Sequence, residues 1–277
     1  MSSIAATYAD QGFVSGVAML SEAEAQVHRS DMEAAEEVLG PLHYRDKIHT
    51  LLRSPYELCT LPGVLDVVEA CIGPDILLYN STFIIKEPGT EAHVAWHQDL
   101  TYWGLSDDDA QVSMWLALAP ATEASGCMQF LPGSHRSGHV PHEFGTAAGD
   151  TKTNVLLQDQ RITDLASAGF DSSDAVFCPL QPGEASFHHG WAMHSSPPNT
   201  SADRRIGLNV QFLAPRNATG QPGHTALLVR GVDEHGHYEA DPVPTGEPPA
   251  TLAPEVLQRW VALDERMKAG FKIAPDG

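Results

Sequence analysis

Five stretches between residues 75 and 215 share one texture: DILLYNSTFIIKEPG, QVSMWLALAP, CMQFLPGS, GEASFHHGW and RIGLNVQFLAP. Each is short, rich in β-branched and aromatic residues, and closed off by Gly, Pro or Ser. Runs of this kind fold as an antiparallel sandwich or barrel, not as helices. The chain before them reads differently. Residues 21–39, SEAEAQVHRSDMEAAEEVL, open on a Ser-x-x-Glu capping box and stop at Gly40-Pro41, and LPGVLDVVEAC is closed by Gly73-Pro74. Both patterns predict helices. A further helix is expected over Pro254 to Met267. The fold class expected is mainly β with flanking helices. With no internal repeat and no linker in 277 residues, a single domain is expected. Its helical part would cover about 1–75, its β core about 76–230, and a C-terminal loop and helix 231–277.

Two segments lack periodicity. Residues 138–179 are polar and small, as a lid or binding loop would be, and 231–251 are proline-rich around HGHYEADP. Both are expected to wall a pocket. Sixteen basic against 36 acidic residues give a formal charge of −20, which repels polyanionic duplexes and acidic lipid surfaces. No nucleic acid and no membrane are expected as partners; a small molecule is. No apolar run approaches the roughly 20 residues of a membrane span. MSSIAATYADQGF has no basic region followed by an apolar one, so no secretory signal is read and a cytoplasmic location is expected. Cys59, Cys71, Cys127 and Cys178 form no Cys-x-x-Cys pair, which argues against thiolate zinc and a disulfide framework.

The chemistry gathers around WHQDLTYW, residues 96–103. With 14 histidines and 19 aspartates in the chain, one His-x-Asp is expected by chance, so His97 and Asp99 alone carry little. On an extended strand they would point to the same side. A second histidine would complete the two-His, one-carboxylate face that holds Fe(II) with open positions. GEASFHHGWAMHSSPPNTSADRR offers His188, His189 and His194. Only His194 is followed closely by a strand with paired arginines, Arg204 and Arg205, which a hairpin through SSPPNTSAD would bring back beside the metal. An arginine fork there suits a carboxylate.

Taken together, NSTFIIKEPG, WHQDLTYWG, SMWLALAP, GCMQFLPGSHRSGH and FHHGWAMHSSPPNTSADRR resemble the phytanoyl-CoA dioxygenase family of Fe(II)/2-oxoglutarate oxygenases, in the right order over roughly residues 10–230. The resemblance implies a double-stranded β-helix core, a jelly-roll of cupin-like type. It implies Fe(II), 2-oxoglutarate and O2 as cofactor and cosubstrates, with His97, Asp99 and His194 as iron ligands. Arg205 is implied to pair with the far carboxylate of 2-oxoglutarate, Ser196 to place a hydroxyl on it, and Trp115 to line its pocket. Asn80 and Thr82 take positions where related enzymes touch the same cosubstrate. The resemblance also implies that an acid at Asp99 favours hydroxylation, since related halogenases have a small residue there. By strand alternation Arg204 should face outward.

The activity expected is hydroxylation of an unactivated C–H in a small metabolite, with succinate and CO2 released. Desaturation, epoxidation or another oxidation of a natural-product intermediate would use the same cofactors. A non-catalytic metal-binding jelly-roll would have no use for Arg205, and a zinc hydrolase would need a general base that His-Gln-Asp does not offer. Five lysines make a poor cradle for CoA phosphates. Among the remaining candidates, His188 or His189 could support the ligands and His93 could approach the substrate. Tyr102 and Trp103 read as core or pocket wall, His135 and Arg136 as turn residues, and His235 and His237 as a solvated loop.

Overall fold

The computed structural model describes residues 2–103, 105, 110–145, 153–156, 159–219 and 223–270. The helices are α1 (Ser2–Gln11), α2 (Glu22–Leu39), α3 (Arg53–Cys59), α4 (Pro62–Ile72), α5 (Leu100–Trp103) and α6 (Pro254–Gly270). The strands are β1 (Phe13–Ala18), β2 (Ile76–Lys86), β3 (Val94–His97), β4 (Gln111–Ala117), β5 (Met128–Phe130), β6 (Val176–Cys178), β7 (Glu184–His188), β8 (His194–Ser196), β9 (Arg205–Leu213), β10 (Thr225–Arg230) and β11 (Glu239–Ala240). They form a jelly-roll of two sheets, one of seven strands in the order β1-β7-β4-β9-β2-β10-β11 and one of four in the order β3-β8-β5-β6. Every strand pair is antiparallel except β10 with β11.

Local sequence accounts for the helix ends. Ser21 Oγ accepts from Glu24 N and Glu24 Oε2 accepts from Ser21 N at 2.8 Å, the reciprocal capping box, while Gly40 closes α2 with φ 77°. Ala25, Met32 and Ala35 put one stripe of α2 into the core. The large sheet buries Val112, Met114 and Leu116 of β4 and Ile206, Leu208, Val210 and Phe212 of β9 against the helices. With a side-chain period of two, their neighbours Ser113, Trp115, Arg205, Gly207, Asn209 and Gln211 face the opposite side, toward the small sheet. In β2 the irregularity between Leu78 and Asn80 shifts the parity. Leu78 before it and Phe83 after it both join the helix-side core, whereas Asn80, Thr82 and Ile84 turn to the space between the sheets.

Three expectations are corrected. The region 1–75 is not purely helical, because Phe13–Ala18 is the edge strand of the large sheet and pairs with β7. The strand carrying His97 ends there, so Asp99 lies in the turn before α5. SSPPNTSAD is no hairpin: β8 belongs to the small sheet and β9 to the large one, so this loop crosses between sheets. Cysteines 59, 71, 127 and 178 are free.

Candidate active site

His97 and His194 are register partners on β3 and β8. Each ring is oriented by its own strand, with Nδ1 2.9 Å from a backbone carbonyl two residues earlier, Ala95 O for His97 and Ala192 O for His194. A ring nitrogen facing a carbonyl must carry the proton, so in both rings Nε2 holds the lone pair. Both Nε2 atoms converge on Asp99 Oδ1, at 3.4 Å from His97 and 3.6 Å from His194. The far oxygen, Oδ2, accepts from Ser113 Oγ at 2.7 Å and from His188 Nε2 at 3.1 Å. Three lone-pair donors therefore face one point with no proton to share, a donor set that fits a divalent first-row metal. His97, Asp99 and His194 are also the cluster among the described residues whose ligand atoms lie within 4.8 Å of one another. Burial, and then the His97 ring, keep His194 neutral.

Gln98, between His97 and Asp99, points the other way and is fully buried. Its amide donates to Gly138 O and Trp191 O and accepts from Val140 N, which ties the 97–99 turn to two loops. Of the two adjacent histidines, His188 is the one at the site; His189 packs against the Tyr8 and His135 rings.

Arg205 enters the same cavity. It is 1% exposed, with Nη1 on Gly126 O at 2.6 Å and on Ser196 Oγ at 2.9 Å, and its guanidinium sits 5.0 Å from the Trp115 ring. Gly207 makes room for that ring, since a Cβ there would lie 2.0 Å from Trp115 Cζ2. Arg205 Nε has no partner. Across the β2–β9 ladder stands Lys86, also 1% exposed, whose ammonium donates to Ser196 O at 2.9 Å, Ser196 Oγ and Pro197 O. Among the described residues no carboxylate pairs with either side chain. Burial lowers Arg205 to about 10, still ionised near neutral pH, and burial with the Arg205 charge pushes Lys86 down to about 6. Arg204 turns outward to Glu36 and Glu87, each at 2.9 Å.

Thr82 lines the cavity with its hydroxyl unpartnered. Asn80 lines it too, but its amide is committed to the 46–47 turn, donating to Asp46 Oδ1 at 2.8 Å and accepting from Lys47 N at 2.9 Å. His93 is half-buried with Nδ1 on Glu91 O and is not part of the cavity wall. His135 and Arg136 hold the end of α1 through Ala9 and Asp10. His235 and His237 are exposed.

Val155 and Leu156 of the 138–179 segment line the cavity, while residues 146–152 and 157–158 and the side chains of Tyr102 and Trp103 fall outside the described residues. The described residues of 231–251 add no wall; Asp241 instead holds Lys47 at 2.9 Å. Sequence reasoning missed Lys86, Gln98, Ser113 and Asp46. Lys86 stood in the quoted motif NSTFIIKEPG, but its meaning depends on pairing with Arg205.

The chain is 29% identical over 162 residues to the peroxisomal phytanoyl-CoA dioxygenase of Bos taurus, a match covering 57% of this chain and 45% of that protein. It is 28% identical over 203 residues to a probable alpha-ketoglutarate-dependent hypophosphite dioxygenase of Stutzerimonas stutzeri, covering 73% of this chain and 62% of that one. The chain thus spans about half the length of the first curated relatives it matches. Among solved structures, the apo form of the non-heme monooxygenase ThoJ superposes with a TM-score of 0.80 at 27% identity over 97% of both chains. The sequence model of the family described as phytanoyl-CoA dioxygenase (PhyH) matches residues 10–207, most of the chain. The protein belongs to the phytanoyl-CoA dioxygenase family.

Proposed function

We propose that this protein is an Fe(II)- and 2-oxoglutarate-dependent oxygenase that hydroxylates a carbon of a small metabolite. The observation that carries the reading is Arg205, a buried guanidinium with no carboxylate partner among the described residues, in the same cavity as the three convergent donor atoms. A buried charge without a partner costs several kcal/mol, so a pocket built this way is built for an anion. A bare metal-binding jelly-roll would have no use for it. The similar hypophosphite dioxygenase and ThoJ carry names for the same class of chemistry.

In this reading His97, Asp99 and His194 hold the iron, and Arg205 and Ser196 take the far carboxylate of 2-oxoglutarate. Trp115 walls the cosubstrate. When bound, iron and 2-oxoglutarate supply an oxidant strong enough for an unactivated C–H, while 2-oxoglutarate becomes succinate and CO2. Ser113 and His188 keep the Asp99 carboxylate fixed and ionised, leaving Oδ1 for the metal. Val94, Met128 and Trp115 keep water off the site. Fe(II)-dependent conversion of 2-oxoglutarate to succinate is the test. It should fall to background in His97→Ala, Asp99→Ala and His194→Ala, and near-normal turnover in a folded His194→Ala protein would overturn the reading.

A further inference from the structure

The end of the cavity away from Arg205 has a different chemistry. Going along the β2–β9 ladder, Lys86 faces Arg205, Ile84 faces Gly207, Thr82 faces Asn209 and Asn80 faces Gln211. At a rise of about 3.3 Å per residue, Gln211 lies about 20 Å along the strand from Arg205. There Asn80 and Gln211 are joined by Asp46, while Thr82, Asn209 and Tyr44 line the wall on the way, Tyr44 close enough to feel the Arg205 charge.

Tyr44 and Lys47 have left-handed backbone, φ 53° and 57°, a conformation side-chain-bearing residues adopt only when held. The holding is visible. Tyr44 N donates to Phe83 O at 3.0 Å, Asp46 N to Asp264 Oδ1 at 2.7 Å, and Trp260 Nε1 to Asp46 O at 3.0 Å. What this clamped turn presents is the Asp46 carboxylate, 6% exposed. Its Oδ1 accepts from Asn80, and among the described residues nothing donates to its Oδ2.

The neighbouring cations are committed elsewhere. Lys268 Nζ lies 2.8 and 3.0 Å from the two oxygens of Asp264, Arg45 sits 2.9 Å from the same acid, and Lys47 is on Asp241. Gln211 Oε1 and Thr82 Oγ1, in the same cavity wall, are buried without partners. At this end Asp46 Oδ2 and Gln211 Oε1 are therefore unmet acceptors, while the Thr82 hydroxyl can donate or accept.

We propose that the substrate is anchored here through a basic nitrogen, a protonated amine or an amidine- or imidazole-type cation, seated on Asp46 Oδ2 with Gln211 Oε1 as second acceptor. This rests on the functional reading, which gives the Arg205 end to the cosubstrate. A cation answers both groups at once, whereas a carboxylate or phosphate would be repelled by Asp46 and would meet, among the described lining residues at this end, only Lys268, which Asp264 already holds. Burial and the nearby Asp264 charge push the Asp46 carboxyl up to about 6, against Asn80, Lys268 and Lys47, and a bound cation would offset that burial.

The test uses Ni(II)-loaded protein with 2-oxoglutarate, and as probes benzylamine, histamine and agmatine against benzyl alcohol and 3-phenylpropionate. Dissociation constants come from ligand-observed NMR. The cations should bind more tightly than the neutral and anionic probes, and Asp46→Asn should weaken them about tenfold or more. A sample binding 2-oxoglutarate within about twofold of wild type counts as folded. If Asp46→Asn does not meet that standard, Gln211→Leu carries the same comparison with an expected loss of about threefold. Cations that bind no better than benzyl alcohol, or equally well to wild type and variant, overturn the proposal. Failure of the wild type to bind 2-oxoglutarate takes down the functional reading and this one with it; 2-oxoglutarate binding without cation preference takes down this one alone.

Discussion

At the scale of residues, the adjacent arginines separate two roles by strand parity alone. Arg205 is buried on Ser196 and Gly126, while Arg204 is bound to surface acids. A charge-assisted contact in a dry pocket is worth roughly 2–5 kcal/mol on truncation. Arg205→Ala should therefore raise the 2-oxoglutarate requirement about 30-fold or more, since each 1.4 kcal/mol is about a factor of ten. Arg204→Ala, which removes ion pairs to Glu36 and Glu87 on the outward side of the strand, should shift it less than about threefold. Titrating 2-oxoglutarate against both variants at fixed iron checks this, and a reversed order would sink it. Lys86 adds a pH dependence. Without ligand its ammonium is pushed down to about 6 by burial and by Arg205, so near pH 7.5 it is mostly neutral. A carboxylate arriving beside Ser196 favours the charged form, so binding takes up a proton and affinity falls as pH rises above about 6. His43, lowered to about 4, and Cys127, raised to about 11, titrate outside that window. The dissociation constant for 2-oxoglutarate at saturating metal should weaken from pH 6 to 8, by at most tenfold per unit. In Lys86→Met the slope should vanish, and a variant keeping the wild-type slope would put the titration elsewhere.

At the scale of elements, what stands out is which features are local. The capping box of α2 is spelled by Ser21 and Glu24 alone, and the helix starts where they say. Ser21→Ala should cost about 1 kcal/mol, lowering Tm by roughly 2–4 °C for a protein of this size, with the 2-oxoglutarate requirement unchanged. Thermal melts beside cosubstrate titrations check both halves, and a changed requirement would mean that α2 reaches the site through Glu36 and Arg204. The strands from Ile76 onward were legible for the same reason: alternation and turn residues are written within each run. β1 was not. FVSGVA is short, carries a glycine at φ 74°, and becomes a strand only by pairing with β7, far along the chain. The site divides the same way. The parity that separates Arg205 from Arg204 is local, whereas the choice of His188 over His189 depends on β7 meeting β4 so that His188 faces Ser113. Asp46 depends on a turn packed between β2 and α6. The assumed hairpin after His194 failed because nothing in SSPPNTSAD says which sheet receives the next strand.

At the scale of the whole molecule, the proposed metal-ligand cluster joins the two sheets. His97 and His194 come from β3 and β8 of the small sheet, and Asp99 is held by Ser113 of β4 and His188 of β7 in the large one. An ion bound there would be lost on unfolding, so its binding free energy adds to global stability. At about 100 times its dissociation constant the gain is about 2.7 kcal/mol, or roughly 5–10 °C in Tm. The formal charge of −20 supplies a competing effect, because any divalent cation screens self-repulsion on an acidic surface. Ligand chemistry separates the two. Mg2+ prefers oxygen and keeps its waters, whereas two imidazoles and a carboxylate suit Ni2+ or Mn2+. Protein stripped with EDTA should melt lower than protein reloaded with Ni2+. Mg2+ at the same ionic strength should recover only the small part due to screening. In His194→Ala the Ni2+ and Mg2+ curves should coincide. If Ni2+ raises that variant's Tm as much as it raises the wild type's, the ion is acting on the acidic surface and not between the sheets.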